Sequence, residues 1–205
     1  MIEILKQASV IPVLEVSDIA TAVPLGQALA RGGLRVVELT LRTSCALEAL
    51  RVMKESSPGL IVGMGTIRTG EDVERACEHG ADFLVSPGAG PKLLAALAGA
   101  VTPALPGIAT ASEAMGAYEV GFKALKFFPA EASGGINTLK SFAGPLPDIL
   151  FCPTGGINAA KAPDYLRLPN VACVGGSWIA NKELIKKGDW TQIEQNARTA
   201  VSFSS

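Results

Sequence analysis

The chain has 205 residues, of which 48% are hydrophobic and 5% aromatic, and its 18 Lys and Arg nearly balance its 19 Asp and Glu. This length predicts one domain that spans residues 1–205. The balanced charge argues against nucleic acid and anionic membranes as partners, and the apolar stretches are too short for the ~20 residues of a membrane helix. Because Glu3 and Lys6 stand together at the start, where a signal peptide is only basic, we expect a cytoplasmic protein.

Short apolar runs alternate with segments of helical spacing, after a short helix predicted at residues 1–8. Eight such units predict an α/β fold, a single-domain (β/α)8 TIM barrel with a short N-terminal helix. The strands are predicted at residues 10–16, 36–41, 60–64, 83–86, 102–105, 124–128, 149–152 and 171–174. The helices are predicted at residues 19–31, 46–55, 72–79, 91–97 and 112–120, with an abbreviated helix between 132 and 147.

An open, doubly wound sheet is the alternative fold. It would carry a glycine-rich turn after the first strand to bind a dinucleotide, and residues 15–18 contain no glycine. We therefore favour the barrel.

Histidine and cysteine offer little to a metal site. The four cysteines are far apart in sequence and are expected to be reduced and mostly buried. The only histidine, His79, precedes Gly80 at a predicted helix end, which argues against a multi-histidine metal site and against a Ser-His-Asp triad. No metal and no cofactor are expected, so the chemistry falls to Lys, Arg, carboxylates, hydroxyls and backbone.

Polar residues late in the second and third strands are the first candidates, because barrels react at the carboxyl ends of their strands. Alternation puts Glu38, Thr40 and Arg42 on one face of the second strand. Thr66 adds a hydroxyl after a third strand whose glycines let a ligand approach. The alternative is an ordinary ion pair between Glu38 and Arg42 at a strand end.

Lys126 is the one lysine of ten that lies inside an apolar strand. It shares a face with Phe128, another candidate for the site, and an apolar wall with Arg42 nearby would favour the free amine. A free amine can attack a ketone and form a Schiff base, which then acts as an electron sink. The alternative is a structural salt bridge across the barrel, with Glu38 as its partner.

Paired glycines follow the last two predicted strands, where barrels commonly bind phosphate through backbone N–H groups. A turn after the fourth strand, Ser86-Pro87-Gly88, can line the same mouth, which makes Pro87 a candidate. The candidates for phosphate and substrate binding after the last two strands are Thr154, Gly155, Gly156, Gly175, Gly176 and Ser177. The predicted site thus combines the amine of Lys126, the carboxylate of Glu38, the guanidinium of Arg42 and a phosphate-binding turn. This combination suits a 2-keto acid that carries a distant phosphate as the substrate.

Segments in the order of the chain resemble those of the bacterial 2-keto-3-deoxy-6-phosphogluconate (KDPG) aldolase family. Residues 38–43 resemble the family's general-base strand, and residues 126–131 resemble its Schiff-base strand. Residues 86–88 resemble its fourth-strand turn, and residues 151–157 and 175–178 resemble its phosphate loops.

The resemblance implies a class I aldolase that splits KDPG into pyruvate and glyceraldehyde 3-phosphate. It also implies a homotrimer of barrels, and often a second activity that cleaves 4-hydroxy-2-oxoglutarate (KHG) to pyruvate and glyoxylate. Lys126 would form the imine and Glu38 would move protons, while Arg42 and Thr66 would hold the carboxylate of the keto acid. No metal would be needed, since the imine does the work of Zn²⁺ in the other aldolase class.

The sequence departs from the family in the third strand, where Met64 stands in place of a more common alanine. Because Met64 shares parity with Thr66, we expect it to narrow the pocket. Galactonate-specific relatives usually carry Thr-Pro-Asn after the fourth strand, so Ser86-Pro87-Gly88 favours the gluconate branch.

Two other functions stay open at the level of sequence. In a phosphosugar isomerase or synthase on a similar barrel, Glu38 would be the base and Lys126 only an electrostatic clamp. A phosphometabolite-binding protein without catalysis would keep the glycine pairs but would have no need of Lys126. Only the aldolase forms an imine that borohydride reduces, so covalent trapping separates it from the other two functions.

Overall fold

The protein is described by a computed structural model that covers residues 1–204. These residues form an α/β fold with a curled, entirely parallel sheet on which the helices pack, as predicted. The strands are β1 Val10–Leu14, β2 Val36–Thr40, β3 Ile61–Gly65, β4 Leu84–Val85, β5 Ala104–Leu105, β6 Gly107–Ile108, β7 Ala124–Phe127, β8 Leu150–Pro153 and β9 Val174–Gly176. The helices are α1 Ile2–Leu5, α2 Ala22–Arg31, α3 Ala46–Ser56, α4 Gly70–Glu78, α5 Pro91–Gly99, α6 Ala111–Glu119, α7 Gly135–Ala143, α8 Ala162–Leu166, α9 Lys182–Lys187 and α10 Trp190–Val201.

The strands form two hydrogen-bonded groups in which neighbours in sequence are mostly neighbours in space. The larger group has the order β5-β4-β3-β2-β1-β9, and the smaller has the order β6-β7-β8. Parallel bridges from Phe151 to Val171 and from Thr154 to Gly175 link the β8 and β9 segments. Because all strands run in the same direction, their carboxyl ends gather at one edge of the curled sheet.

The described residues contain nine strands where eight were predicted, because the fifth predicted strand, 102–105, is followed by an unpredicted short strand, β6, directly after Pro106. Before it, β5 pairs with β4, and after it, β6 pairs with β7. Proline has no N–H to donate to a ladder, so a strand readily breaks at this residue. The last predicted strand also starts later than expected, at Val174.

The predicted helices from residue 19 to residue 120 are confirmed within a few residues, although a short 3-10 turn at Ile19–Thr21 precedes α2. The abbreviated helix expected between residues 132 and 147 is wrong, since α7 is a regular helix of nine residues. Its glycines stand at the two ends, with Gly134 (φ 92°) and Gly135 at the start and Gly144 after the last residue, and Leu139 and Phe142 anchor it in the core. The N-terminal helix is shorter than predicted.

Buried side chains form two clusters, one on each face of the sheet. On the convex face, side chains such as Val37 and Leu39 of β2 pack against Leu50 and Met53 of α3. The cluster on the concave face consists of Leu5, Ile11, Val36, Phe83, Val85, Leu105, Ala124, Cys152 and Cys173. The polar groups described below lie on this concave face and toward the carboxyl ends of its strands.

The four cysteines are free thiols, as expected; Cys152 and Cys173 are buried, whereas Cys45 and Cys77 are only partly buried. A side-chain hydrogen bond with Cys152, together with burial, raises the pKa of Cys173. Among residues 1–204, no helix is long and apolar enough to cross a membrane.

Candidate active site

Lys126 of β7 and Glu38 of β2 meet across the concave face of the sheet. The Lys126 Nζ lies 3.1 Å from the Glu38 Oε1 and 3.3 Å from its Oε2. Both side chains are only 6% exposed. Replacing such a buried ion pair with apolar side chains is often neutral or stabilising, so stability alone does not explain its presence. The pair is well placed for direct transfer of a proton between the amine and the carboxylate.

Gly65 of β3 makes room for this pair. A Cβ built on Gly65 would lie 2.1 Å from the Glu38 Oε1, and one on Gly63 would lie 2.4 Å from the Phe83 ring. The sequence predicts that these glycines let a ligand approach, whereas their observed role is to leave room for Glu38 and Phe83. The sequence does carry a sign of this role: Gly63 and Gly65 occupy alternate positions of β3, and Glu38 on the neighbouring strand pairs in register with Gly63.

Phe128 forms an apolar wall beside the amine. The Lys126 Nζ lies 5.5 Å from the centre of the Phe128 ring, which is partly exposed toward the carboxyl ends of the strands. An aromatic face attracts a cation at this distance and offers little solvation to a free amine. The structure therefore places Phe128, Lys126 and Glu38 together.

Arg42 lies just past β2 and contacts Thr66, just past β3. The Arg42 Nε donates a hydrogen bond to the Thr66 Oγ1 at 3.0 Å. Thr66 has a φ of 62°, a left-handed conformation that a β-branched residue rarely adopts. This conformation breaks the alternation of β3 and leaves the hydroxyl beside the guanidinium.

The expectation that Met64 narrows the pocket is wrong. Met64 is fully buried in the convex cluster between the sheet and the helices. It shares sequence parity with Thr66, but the left-handed backbone at Thr66 separates the directions of the two side chains. A change at this position therefore alters helix packing and not the lining of the site.

Arg42 faces a small cavity of about 240 Å³ at the carboxyl ends of β1, β2 and β9. Its Nη1 lies 3.9 Å from the Glu15 Oε2, and the Lys182 Nζ lies 2.7 Å from the Glu15 Oε1. Thr40 and Ser177 line the same cavity.

The alternative ion pair between Glu38 and Arg42 is wrong. Arg42 lies near Glu15, and the cation in contact with Glu38 is Lys126.

The two glycine pairs stand where β8 and β9 end. Gly155 and Gly156 have φ values of 103° and 77°, which favour glycine. A Cβ on Gly175 would lie 2.2 Å from the Thr154 Oγ1, and one on Gly176 would lie 1.7 Å from the Trp178 ring. These glycines are thus required by packing and conformation, whatever they bind. Thr154 is buried, whereas Ser177 is exposed.

Pro87 is partly buried at the end of β4, next to the strand break. The buried Ser86 Oγ accepts a hydrogen bond from the Gly107 N–H at 3.1 Å. A Cβ on Gly107 would lie 2.4 Å from the Pro87 carbonyl group, so the turn after β4 packs tightly on β6.

A buried lysine in contact with a carboxylate, near the carboxyl ends of parallel strands, is the arrangement of enzymes that form imines with carbonyl substrates. A family model described as KDPG and KHG aldolase matches residues 1–196. A relative from Escherichia coli named KHG/KDPG aldolase is 44% identical over 198 residues, 97% of this chain and 93% of the relative.

Solved structures agree with this match. The KDPG aldolase of Legionella pneumophila, with pyruvate captured as a covalent carbinolamine intermediate, has a TM-score of 0.95 at 41% identity, covering 98% of this chain and 97% of that one. The Zymomonas mobilis enzyme with 3-phosphoglycerate has a TM-score of 0.92 at 43% identity, with coverages of 98% and 94%. The chain belongs to the KDPG and KHG aldolase family and is a lyase of the aldolase type.

Proposed function

We propose that this protein cleaves KDPG to pyruvate and glyceraldehyde 3-phosphate through an imine on Lys126, and that it also cleaves KHG to pyruvate and glyoxylate. The observation that carries the proposal is the contact of 3.1 Å between the Lys126 Nζ and the Glu38 carboxylate. A relative that holds pyruvate as a covalent carbinolamine supports the covalent route.

The contact between Lys126 and Glu38 supports the first half of the reaction. Glu38 takes a proton from the ammonium group and frees the amine, which attacks the ketone carbon of the substrate. The carbinolamine hydroxyl then receives the proton from Glu38 and leaves as water. The product of these steps is an iminium ion on Lys126, with Glu38 again a carboxylate.

The second half needs the same two groups. Glu38 takes the proton of the hydroxyl on the fourth carbon, and the bond between the third and fourth carbons breaks. Its electrons move toward the iminium nitrogen, which leaves an enamine of pyruvate and releases the aldehyde. Glu38 returns the proton to the third carbon, and hydrolysis frees pyruvate. The cycle is complete without a metal ion, because the iminium is the electron sink.

Arg42 and Thr66 are proposed to hold the carboxylate of the keto acid. The two groups are already in contact, and the guanidinium is half exposed, so its remaining N–H groups can receive an anion. Pro87 and Phe128 are proposed as apolar walls of the site.

The phosphate is proposed to bind where β8 and β9 end. Backbone N–H groups of glycine turns can approach an anion closely, and the hydroxyls of Thr154 and Ser177 can add hydrogen bonds. A relative that binds 3-phosphoglycerate supports a phosphate site in this family. The proposed backbone contacts come from Gly155, Gly156, Gly175 and Gly176.

Three broader proposals accompany the reaction. We propose that the strands form a single (β/α)8 TIM barrel, with β5 and β6 counted as one strand and the ring closed at the bridge from Thr154 to Gly175. Residues 1–205 are proposed to be one aldolase domain in a homotrimer, which light scattering of the purified protein tests. A cytoplasmic location stays a prediction from the sequence.

The purified protein is expected to release pyruvate from both KDPG and KHG, because one lysine and one carboxylate serve both cleavages. Pyruvate is measured by coupling its release to lactate dehydrogenase and following the loss of NADH. Conversion of a phosphosugar to an isomer without pyruvate would support the isomerase alternative instead.

Changing Gly65 to Ala is expected to lower turnover at least ~10-fold, because the new methyl group occupies the position of the Glu38 Oε1 and moves the carboxylate off Lys126. Steady-state kinetics and circular dichroism measure the effect. Gly116→Ala is the matched control, since a Cβ there meets nothing within 4 Å. Normal turnover in Gly65→Ala would show that the separation of the pair is not critical.

A further inference from the structure

The side chain of Glu131 is held from two sides by residues that follow β8. The Lys161 Nζ forms an ion pair with its Oε2, and the Tyr165 hydroxyl donates a hydrogen bond to its Oε1. Tyr165 is fully buried, whereas about a third of the Glu131 side chain is exposed. Nothing in the proposed chemistry uses these three residues, although Glu131 ends the segment that begins at Lys126.

Glu131 also supports the turn formed by Gly155 and Gly156. Its N–H donates to the Gly155 carbonyl at 3.1 Å, and the Ala130 N–H donates to the Thr154 carbonyl at 2.8 Å. A Cβ on Gly156 would lie 2.7 Å from the Glu131 Cβ and Cγ, so the glycine rests directly on this side chain. The position of the turn therefore depends on where Glu131 is held.

The negative charge of Glu131 needs a cationic partner, because Glu131 lies next to the turn where the phosphate is proposed to bind. A carboxylate beside a site for phosphate repels the ligand unless a cation neutralises it. The hydrogen bond from Lys161, followed by that from Tyr165, lowers the pKa of Glu131, so the group is ionised and paired. Burial and the hydrogen bond to Glu131 raise the pKa of Tyr165, which keeps its hydroxyl a donor.

We propose that Glu131, Tyr165 and Lys161 form a clamp that positions the Gly155–Gly156 turn for the substrate phosphate, and so favours phosphorylated over unphosphorylated substrates. The three are positioning residues that act through the turn. This inference rests on the proposed function, because it requires the phosphate to bind at that turn.

The test compares Tyr165→Phe with Tyr118→Phe. The two tyrosines are the only ones in the chain, and the Tyr118 hydroxyl also faces a carboxylate, that of Asp148 at 3.5 Å, but on the exposed side of α6. We expect Tyr165→Phe to raise the KM for KDPG about tenfold, the effect of a lost hydrogen bond to a charged group. Its kcat for KDPG, and its kcat/KM for the unphosphorylated analogue 2-keto-3-deoxygluconate, should change less than about twofold. Tyr118→Phe should change none of these values.

A second variant keeps the test informative if Tyr165→Phe unfolds. Lys161→Gln leaves the Glu131 carboxylate without its cation, so the KM for KDPG should rise a few-fold, and added salt should reduce the effect by screening the repulsion. Equal losses on the phosphorylated and unphosphorylated substrates, or no loss on either, would overturn the clamp. The wild-type protein tests the proposed function separately, since a failure to prefer KDPG over its unphosphorylated analogue would remove the phosphate site itself.

Discussion

Borohydride added to the protein together with pyruvate is expected to leave one pyruvyl unit on Lys126 as a stable secondary amine, and to abolish turnover. The reason is that borohydride reduces the carbon–nitrogen double bond of an imine, and the buried Lys126 has a carboxylate at 3.1 Å that can take its proton. Peptide mass spectrometry of the digested protein locates the added mass. The same treatment without pyruvate is the first control.

Variants of Lys126 sharpen this result. Lys126→Ala should lose both the adduct and the activity, and so should Lys126→Arg, because a guanidinium keeps the charge but cannot form the imine. Lys123→Ala is the matched control, since Lys123 lies three residues earlier, exposed and outside the strand. An active preparation that gives no adduct, or an adduct on Lys123, would contradict the mechanism at its central residue.

Changing Glu38 to Gln is expected to lower turnover ~100-fold or more while KM rises little, because the amide keeps the size of the side chain but cannot accept and return a proton. Steady-state kinetics with KDPG gives both constants, and the rate of borohydride trapping reports on imine formation alone. Both rates should fall, since Glu38 acts before and after the imine.

The control for this variant is Glu194→Gln, which removes a carboxylate that pairs with Arg31 and Arg198 on the surface. It should leave turnover unchanged. Near-normal turnover in Glu38→Gln would transfer the role of the base to another carboxylate, and Glu15, in the cavity next to Arg42, is the group to test then.

The pairing of Lys126 with Glu38 could be anticipated from the sequence for a simple reason. Both residues are charged, and both lie in otherwise apolar strands of a fold that brings its strands together. A charge in such a place needs a partner, and side-chain alternation put both on the same face. The strands and most helices followed from periodicity in the same way.

What escaped prediction depends on departures from regular geometry. Alternation gave Met64 and Thr66 the same direction, and the left-handed φ of Thr66 removes that relation. The fifth strand was predicted to end at residue 105, so β6, a strand of two residues beyond Pro106, was not anticipated. Lys161 and Tyr165 form hydrogen bonds with Glu131 although they lie more than 25 positions away in the sequence, and no local sequence pattern predicts such contacts.

The inner face of β3 has a consequence for reading genomes. Beside Glu38 this strand presents only the hydrogen atoms of Gly63 and Gly65, so the carboxylate can occupy the volume that a methyl group on Gly65 would take. A single-nucleotide change from a glycine to an alanine codon fills that volume while Lys126 and Glu38 remain in the sequence. Homologues that keep both reacting residues but lack glycine at position 65 are therefore expected to fold and to turn over at least ~10-fold more slowly. A search for fully active aldolases should check for this glycine as well as for the lysine.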